Sequence, residues 1–179
     1  MAKAKPGALN YGTSTPGGNP HLGMEMFKTM TGVDIVPIPY KGSGGISAAL
    51  IANQVHVAIL SAGGTMQHVI SGRLRALAVT SLQPSAMAPG IPTLAGSGLP
   101  GYELIGTDAM WAPAKTPAAI INRLNQEIVR FLNTREAKER YLELGAEVIA
   151  SSPKELADSV KSRMIIMDKV IKAAGIKIN

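Results

Sequence analysis

The chain has 179 residues, a mass of 18.7 kDa, a formal net charge of +6 and no cysteine. With 46% hydrophobic and 17% charged residues it can bury one substantial core, so one domain, or one and a fragment, is expected. The missing cysteine excludes disulfides, thiolate metal sites and a cysteine nucleophile, and no apolar run is long enough to span a membrane.

The basic balance favours anionic partners. Lysine and arginine are scattered, however, and only two Phe, four Tyr and one Trp are available to stack on bases. No nucleic-acid partner is therefore expected. The opening residues Met1–Gly7 (MAKAKPG) carry no apolar core of the kind a secretion signal needs, so none is expected in this chain.

Ala8–Ser14 reads as a strand running into a Thr-Pro-Gly-Gly-Asn-Pro loop. From His21, the residues Leu22, Met26, Phe27 and Met30 share one helical face, and Gly32 ends the helix. Val33–Tyr40 reads as a strand whose prolines push it towards an edge or a crossing segment. Lys41–Gly45 reads as a glycine-rich turn before a short helix over Ile46–Ala52, and Val55–Ser61 as a buried strand. Ala62-Gly63-Gly64 opens a helix that Gly72 closes, and Leu74–Ser81 reads as a fourth strand. This alternation predicts an α/β fold with a mostly parallel sheet.

Gln83–Gly101, rich in Pro and Gly, reads as a long surface loop, and Tyr102–Pro113 as extended chain. Three helices then form a C-terminal tail. Thr116 is the expected N-cap of the first, with Pro117 at its first position, and its apolar face carries Ile120, Ile121, Leu124, Ile128, Phe131 and Leu132. Thr134 caps the second, which stops at Gly145. Ser152 and Glu155 form a capping box for the third, which runs to about Ala174.

The three glycine-rich loops all lie between the carboxyl end of a strand and the amino end of a helix. In an open parallel sheet such loops share one rim, where ligands bind, and helix starts offer unpaired N–H groups and partial positive charge. The first loop supplies Thr13, Ser14, Thr15, Gly17, Gly18, Asn19 and His21. The second supplies Lys41, Gly42, Ser43, Gly44 and Gly45, and the third Ser61, Gly63 and Gly64. Together they form a plausible cradle for a carboxylate. Each residue also has a plainer role open to it. The glycines can serve backbone geometry, Thr15 and Ser43 can cap helices, Lys41 can be solvated, and His21 can make a local bond instead of reaching a ligand.

His21, His56 and His68 show no metal-ligand spacing, and neither a nucleophile elbow nor a phosphate-binding loop motif is present. No cofactor or metal is implied. His56 within a strand and His68 within a helix default to structural roles.

Asn10–Leu22 (NYGTSTPGGNPHL), Val33–Gly42 (VDIVPIPYKG) and Gly72–Ser81 (GRLRALAVTS) resemble the solute receptors of tripartite tricarboxylate transporters, the Bug-type receptors. So do Ile91–Thr93 with Gly98–Glu103, Ala112–Pro117, Arg123–Glu127 and Ala173–Lys177. The resemblance implies a type II periplasmic-binding-protein fold, whose two lobes close over a small carboxylate. Residues 6–106 would form most of the second lobe. Residues 107–179 would hold a crossover strand and C-terminal helices belonging to the first lobe. A signal peptide and the N-terminal lobe would be absent, so the chain is expected to be truncated. Ligand-facing positions would be Thr13, Ser14, Thr15, Gly17–His21, Lys41–Gly44, Ser61 and Ala62, although the family often carries an acid or amide where this chain has Leu60 and Ser61.

The expected function is carboxylate binding without catalysis. The expected partners are the ligand, transporter membrane subunits or a separate N-terminal lobe, and further copies of the chain meeting through the uncovered tail helices. The family implies the periplasm. A chain that begins at Met1 in its native form would stay in the cytoplasm. A non-binding oligomeric scaffold and, behind it, a small α/β enzyme stay open as alternatives.

Overall fold

The computed structural model describes residues 2–176; Met1 and the Lys177 of the last family-like segment lie outside the described residues. The chain divides into two units, residues 1–106 with 167–179, and residues 107–166.

In the first unit, β1 (Leu9–Thr13), α1 (Asn19–Thr31), β2 (Ile35–Pro39), α2 (Gly42–Ile51), β3 (Val57–Ala58) and α3 (Ala62–Ile70) alternate along the chain. The strands form one parallel sheet in the order β2-β1-β3, with Leu9 opposite Ile35, Thr13 opposite Pro39, and Tyr11 opposite Val57. Pro37 and Pro39 have no N–H to give a second neighbour, which suits the edge position that β2 takes. The central strand β1 is buried on both faces. Tyr11 packs with Met24 and Ile35, while a Cβ at Gly12 would come within 2.6 Å of Ile46 Cγ2. Alternation along β1 therefore puts Tyr11 and Thr13 on the α1 face and Gly12 on the α2 face.

Two buried phenols fasten α1. Tyr11 Oη donates to Glu25 Oε1 (2.8 Å), which also accepts from Lys28 Nζ (2.8 Å), and the ammonium sits 5.9 Å from the Tyr11 ring centre. Tyr102 Oη donates to the Gly23 carbonyl (2.9 Å). Burial pushes both phenols well above the ordinary tyrosine value, and for Tyr11 the hydrogen bond and charge of Glu25 add to the effect. Gly23 is where α1 comes closest to its cover, since a Cβ there would lie 2.5 Å from Leu104 Cδ2 and 2.7 Å from Ile59 Cδ1.

Several expectations need correction. Leu74–Ser81 is not a strand of the sheet. It makes one isolated parallel bridge, Val79 with Thr93, and Thr80 O accepts from Leu104 N (2.9 Å). Its apolar alternation is satisfied by an extended segment bonded to its own downstream chain. Helix α1 starts two residues before His21, with Pro20 in its first turn, where a missing N–H costs nothing. Lys41–Gly45 is no free turn, because α2 already begins at Gly42. Its buried residue Ile46 packs over Gly12, and this tertiary contact outweighs the poor helix propensity of three glycines.

In the second unit, α4 (Ala118–Leu132) is followed by α5 (Arg135–Glu143) and by most of α6 (Pro153–Ala173). The Ala137 amide donates to Thr134 Oγ1 (3.2 Å), the expected cap. Ser152 N donates to Glu155 Oε2 (2.8 Å) while Glu155 N donates to Ser152 Oγ (3.2 Å), completing the capping box. Glu155 is held below the ordinary glutamate value, chiefly by the Ser152 backbone N–H and then by its hydroxyl. Thr116 is not the N-cap of α4. Pro117 takes that position and no side chain caps the helix.

Candidate functional site

Because β1, β2 and β3 run parallel, their carboxyl ends lie on one rim, and each leads directly into a helix start. The N-cap residues are Gly18, Lys41 and Ser61, all in extended backbone conformation, and none accepts a side-chain capping bond. Thr15 and Ser43 are thus not helix caps, and the first-turn amides of all three helices have no intrahelical acceptor.

The first loop is internally bonded. Gly17 N–H donates to His21 Nδ1 (3.1 Å), and Gly18 N–H donates to Thr15 O (2.9 Å). Both amides, expected to face a ligand, are therefore already in use. Pro20 has none to offer, and Leu22 N bonds to Gly18 O (2.9 Å). That leaves the amides of Asn19 and His21 at the start of α1. At α2 the amides of Gly42, Ser43 and Gly44 are the first-turn donors. No atom comes within 4 Å of a Cβ built on Gly42 or Gly44, so this end is open. At α3 the donors are Ala62, Gly63 and Gly64, with Ser61 exposed beside them.

Thr13 ends β1 beneath these helix starts. It is 5% exposed, and its Oγ1 is buried with no hydrogen-bond partner. A buried hydroxyl without a partner is costly and calls for a reason. Ser14 is half-buried, while Thr15, Asn19, Lys41 and Ser43 are exposed. The rim therefore presents amides and hydroxyls with a lysine at its edge, groups suited to an anion.

The other histidines lie elsewhere. His56 N donates to Asn10 Oδ1 (3.1 Å) near the start of β1, tying that strand to the approach of β3. His68 is in the last turn of α3, about 9 Å along the helix from the rim at 1.5 Å per residue. Its Nδ1 is also buried without a partner. Among the described residues, no group of three or more His, Asp or Glu could hold a metal ion, and no helix is long and apolar enough to cross a membrane. A depression of about 450 Å3 along α5 is lined by Arg135, Glu136, Glu139, Arg140 and Glu143. Two ion pairs, Arg135–Glu139 and Arg140–Glu143, occupy it, so it reads as a solvated helix face.

Sequence reasoning expected the three loops on one rim, where the parallel strands put them, but missed the preoccupied amides of Gly17 and Gly18. The only available signal was the i, i+4 spacing of Gly17 and His21, which also fits an unbonded loop.

The family described as "Tripartite tricarboxylate transporter family receptor" matches residues 1–176. Protein BugT of Bordetella pertussis is 33% identical over 176 residues, covering 98% of this chain and 52% of its own length. Among solved structures, R. palustris Rpa4515 with adipate superposes with a TM-score of 0.79 at 36% identity, covering 98% of this chain and 58% of that one. The periplasmic binding protein BugD superposes with a TM-score of 0.75 at 30% identity, covering 98% and 60%. The chain spans about half the length of the curated relatives it matches. The α/β unit with its parallel three-stranded sheet thus matches part of a periplasmic-binding-protein structure. The chain belongs to the tripartite tricarboxylate transporter receptor family, a family of solute-binding receptors.

Proposed function

We propose that this chain binds a small di- or tricarboxylate, or a related organic acid, as a receptor or receptor-derived lobe of a tripartite tricarboxylate transporter, without catalysis. The observation that carries this reading is the shared rim of three parallel strands, where the starts of α1, α2 and α3 all lack a side-chain cap. Residues 6–106 act as the second ligand-binding lobe, and residues 107–179 supply helices that belong to the first. One carboxylate sits against the first-turn amides of α1 and α2, with Ser14, Thr15, Asn19, Ser43 and Ser61 around it, Thr13 beneath it and Lys41 as a nearby cation. The adipate in the 36%-identical relative supports a linear dicarboxylate. Good sites bury roughly 70–90% of a ligand, so an open rim binds weakly until a second lobe covers it. The family setting supports the periplasm and the transporter's membrane subunits as its context.

The test is a thermal-shift and calorimetric screen of adipate, malate, citrate and monocarboxylates. Ligand at a hundred times its dissociation constant should stabilise by about 2.7 kcal/mol, and Ser43→Ala should leave the amides but weaken the shift. No shift with any acid at millimolar concentration, in a folded chain, refutes the reading.

A second observation favours self-association. Helix α4 has no buried residue, and Ile120, Leu124 and Phe131 are 51%, 47% and 56% exposed on its apolar face. Exposed stripes of this kind mark interaction surfaces. A monomer at high micromolar concentration would refute the oligomer.

A further inference from the structure

We infer that His21 is a positioning residue of the carboxylate site, acting through the Gly17 amide and not on the anion itself. This rests on the carboxylate reading and goes beyond it by assigning how the first loop keeps its shape. Gly17 has a φ of +80°, in the left-handed region that a glycine adopts at little cost. The partner of that N–H is the Nδ1 of His21, four residues on, at 3.1 Å in a half-buried setting. The next amide, Gly18, closes a turn onto Thr15 O at 2.9 Å, and Gly18 O receives Leu22 N at 2.9 Å. The loop from Thr13 to the start of α1 is thus threaded by three bonds, of which only the Gly17 bond depends on a side chain.

The chemistry follows from the imidazole. A ring nitrogen that accepts carries no hydrogen, so the proton of His21 is on Nε2. Losing the acceptor leaves Gly17 N–H unpaired at a half-buried position, and the loop must turn to satisfy it. That turn moves Ser14, Thr15 and the Asn19 amide, the groups facing the anion. No other described side chain accepts from Gly17.

Two conservative replacements separate this role from direct contact. An asparagine carboxamide oxygen falls near the place of Nδ1, whereas a glutamine reaches the place of Nε2. His21→Asn, His21→Gln and His21→Leu would be compared with the unaltered chain by calorimetry with adipate and by amide hydrogen exchange of Gly17 without ligand. The expected order is His21→Asn within about threefold of wild type in both measurements. His21→Gln and His21→Leu should bind about fivefold to tenfold more weakly, the value of one intramolecular hydrogen bond, and exchange Gly17 faster by a similar factor. Adipate binding retained in His21→Gln and lost in His21→Asn would overturn the inference and make His21 a ligand contact through Nε2. Equal binding or equal exchange in all three variants would overturn it too. A wild-type chain that binds none of the acids screened refutes the carboxylate reading itself and, with it, any place for His21 in a site.

Discussion

Replacing Thr13 by Val should make the free protein more stable and leave its ligand binding unchanged. The two side chains have nearly the same shape, so packing against α1 is kept while the hydroxyl goes. That hydroxyl is buried in a residue 5% exposed and bonds to nothing among the described residues. An unsatisfied buried polar group costs about 1–3 kcal/mol, and a valine at the end of a strand has no propensity penalty. A gain of about 1 kcal/mol is expected, since some of the cost is already relieved by relaxation. For a unit of this size that is a rise of several degrees in Tm. The hydroxyl has almost no surface open to a ligand, so the same variant should bind adipate as the wild type does. Differential scanning calorimetry of the free chain and isothermal titration with adipate measure the two effects on one sample. A Thr13→Val chain that is less stable than wild type, or that loses adipate binding, would refute the reasoning.

Gly12→Ala should cost about 1–3 kcal/mol by overpacking, because its Cβ would stand 2.6 Å from the fully buried Ile46. In an Ile46→Ala background the cost should largely vanish, and a double-mutant cycle in urea with no coupling would refute that contact. Tyr11 and Tyr102 hold their phenols above the ordinary value, so the native state keeps two protons that the unfolded chain releases near pH 10. The stability they provide is complete below that pH and is lost as pH rises further. Absorbance titration should show two of the four tyrosines ionising only with unfolding. Glu155 has the opposite sign: its lowered value stabilises the start of α6 above the ordinary glutamate value, and the benefit fades as pH falls through the lowered one. A Ser152→Ala variant in which the Glu155 carboxyl titrates as in wild type, followed by NMR, would contradict the capping box. Phe131→Glu should shift sedimentation towards monomer if α4 is the contact between copies.

The strand–helix alternation as far as α3 and the caps at Thr134 and Ser152 were legible in the residues themselves, and the prolines of β2 narrowed that strand to an edge or a crossing segment. Each rests on an interaction within a few positions of chain, such as a hydroxyl reaching the amide three residues on, a proline lacking an N–H, or an apolar period. The family-like segments were legible for a related reason, being contiguous runs. What was not local was not legible. Leu74–Ser81 has the alternation of a strand, but a strand needs a neighbour, and its bonds go to Pro92, Leu94 and Leu104 instead. Gly42–Gly45 has the composition of a turn, yet the packing of Ile46 over Gly12 makes it the start of a helix. The loop at the site divides in the same way. Sequence alone placed Thr13–His21 at the end of a strand on a shared rim, because strand and helix periods alternate there. Only the folded chain decided which groups are free for a ligand, since that depends on which donors have already found acceptors. Gly17 and Gly18 have found theirs, whereas the open, uncapped start of α2 at Gly42–Gly44 has not.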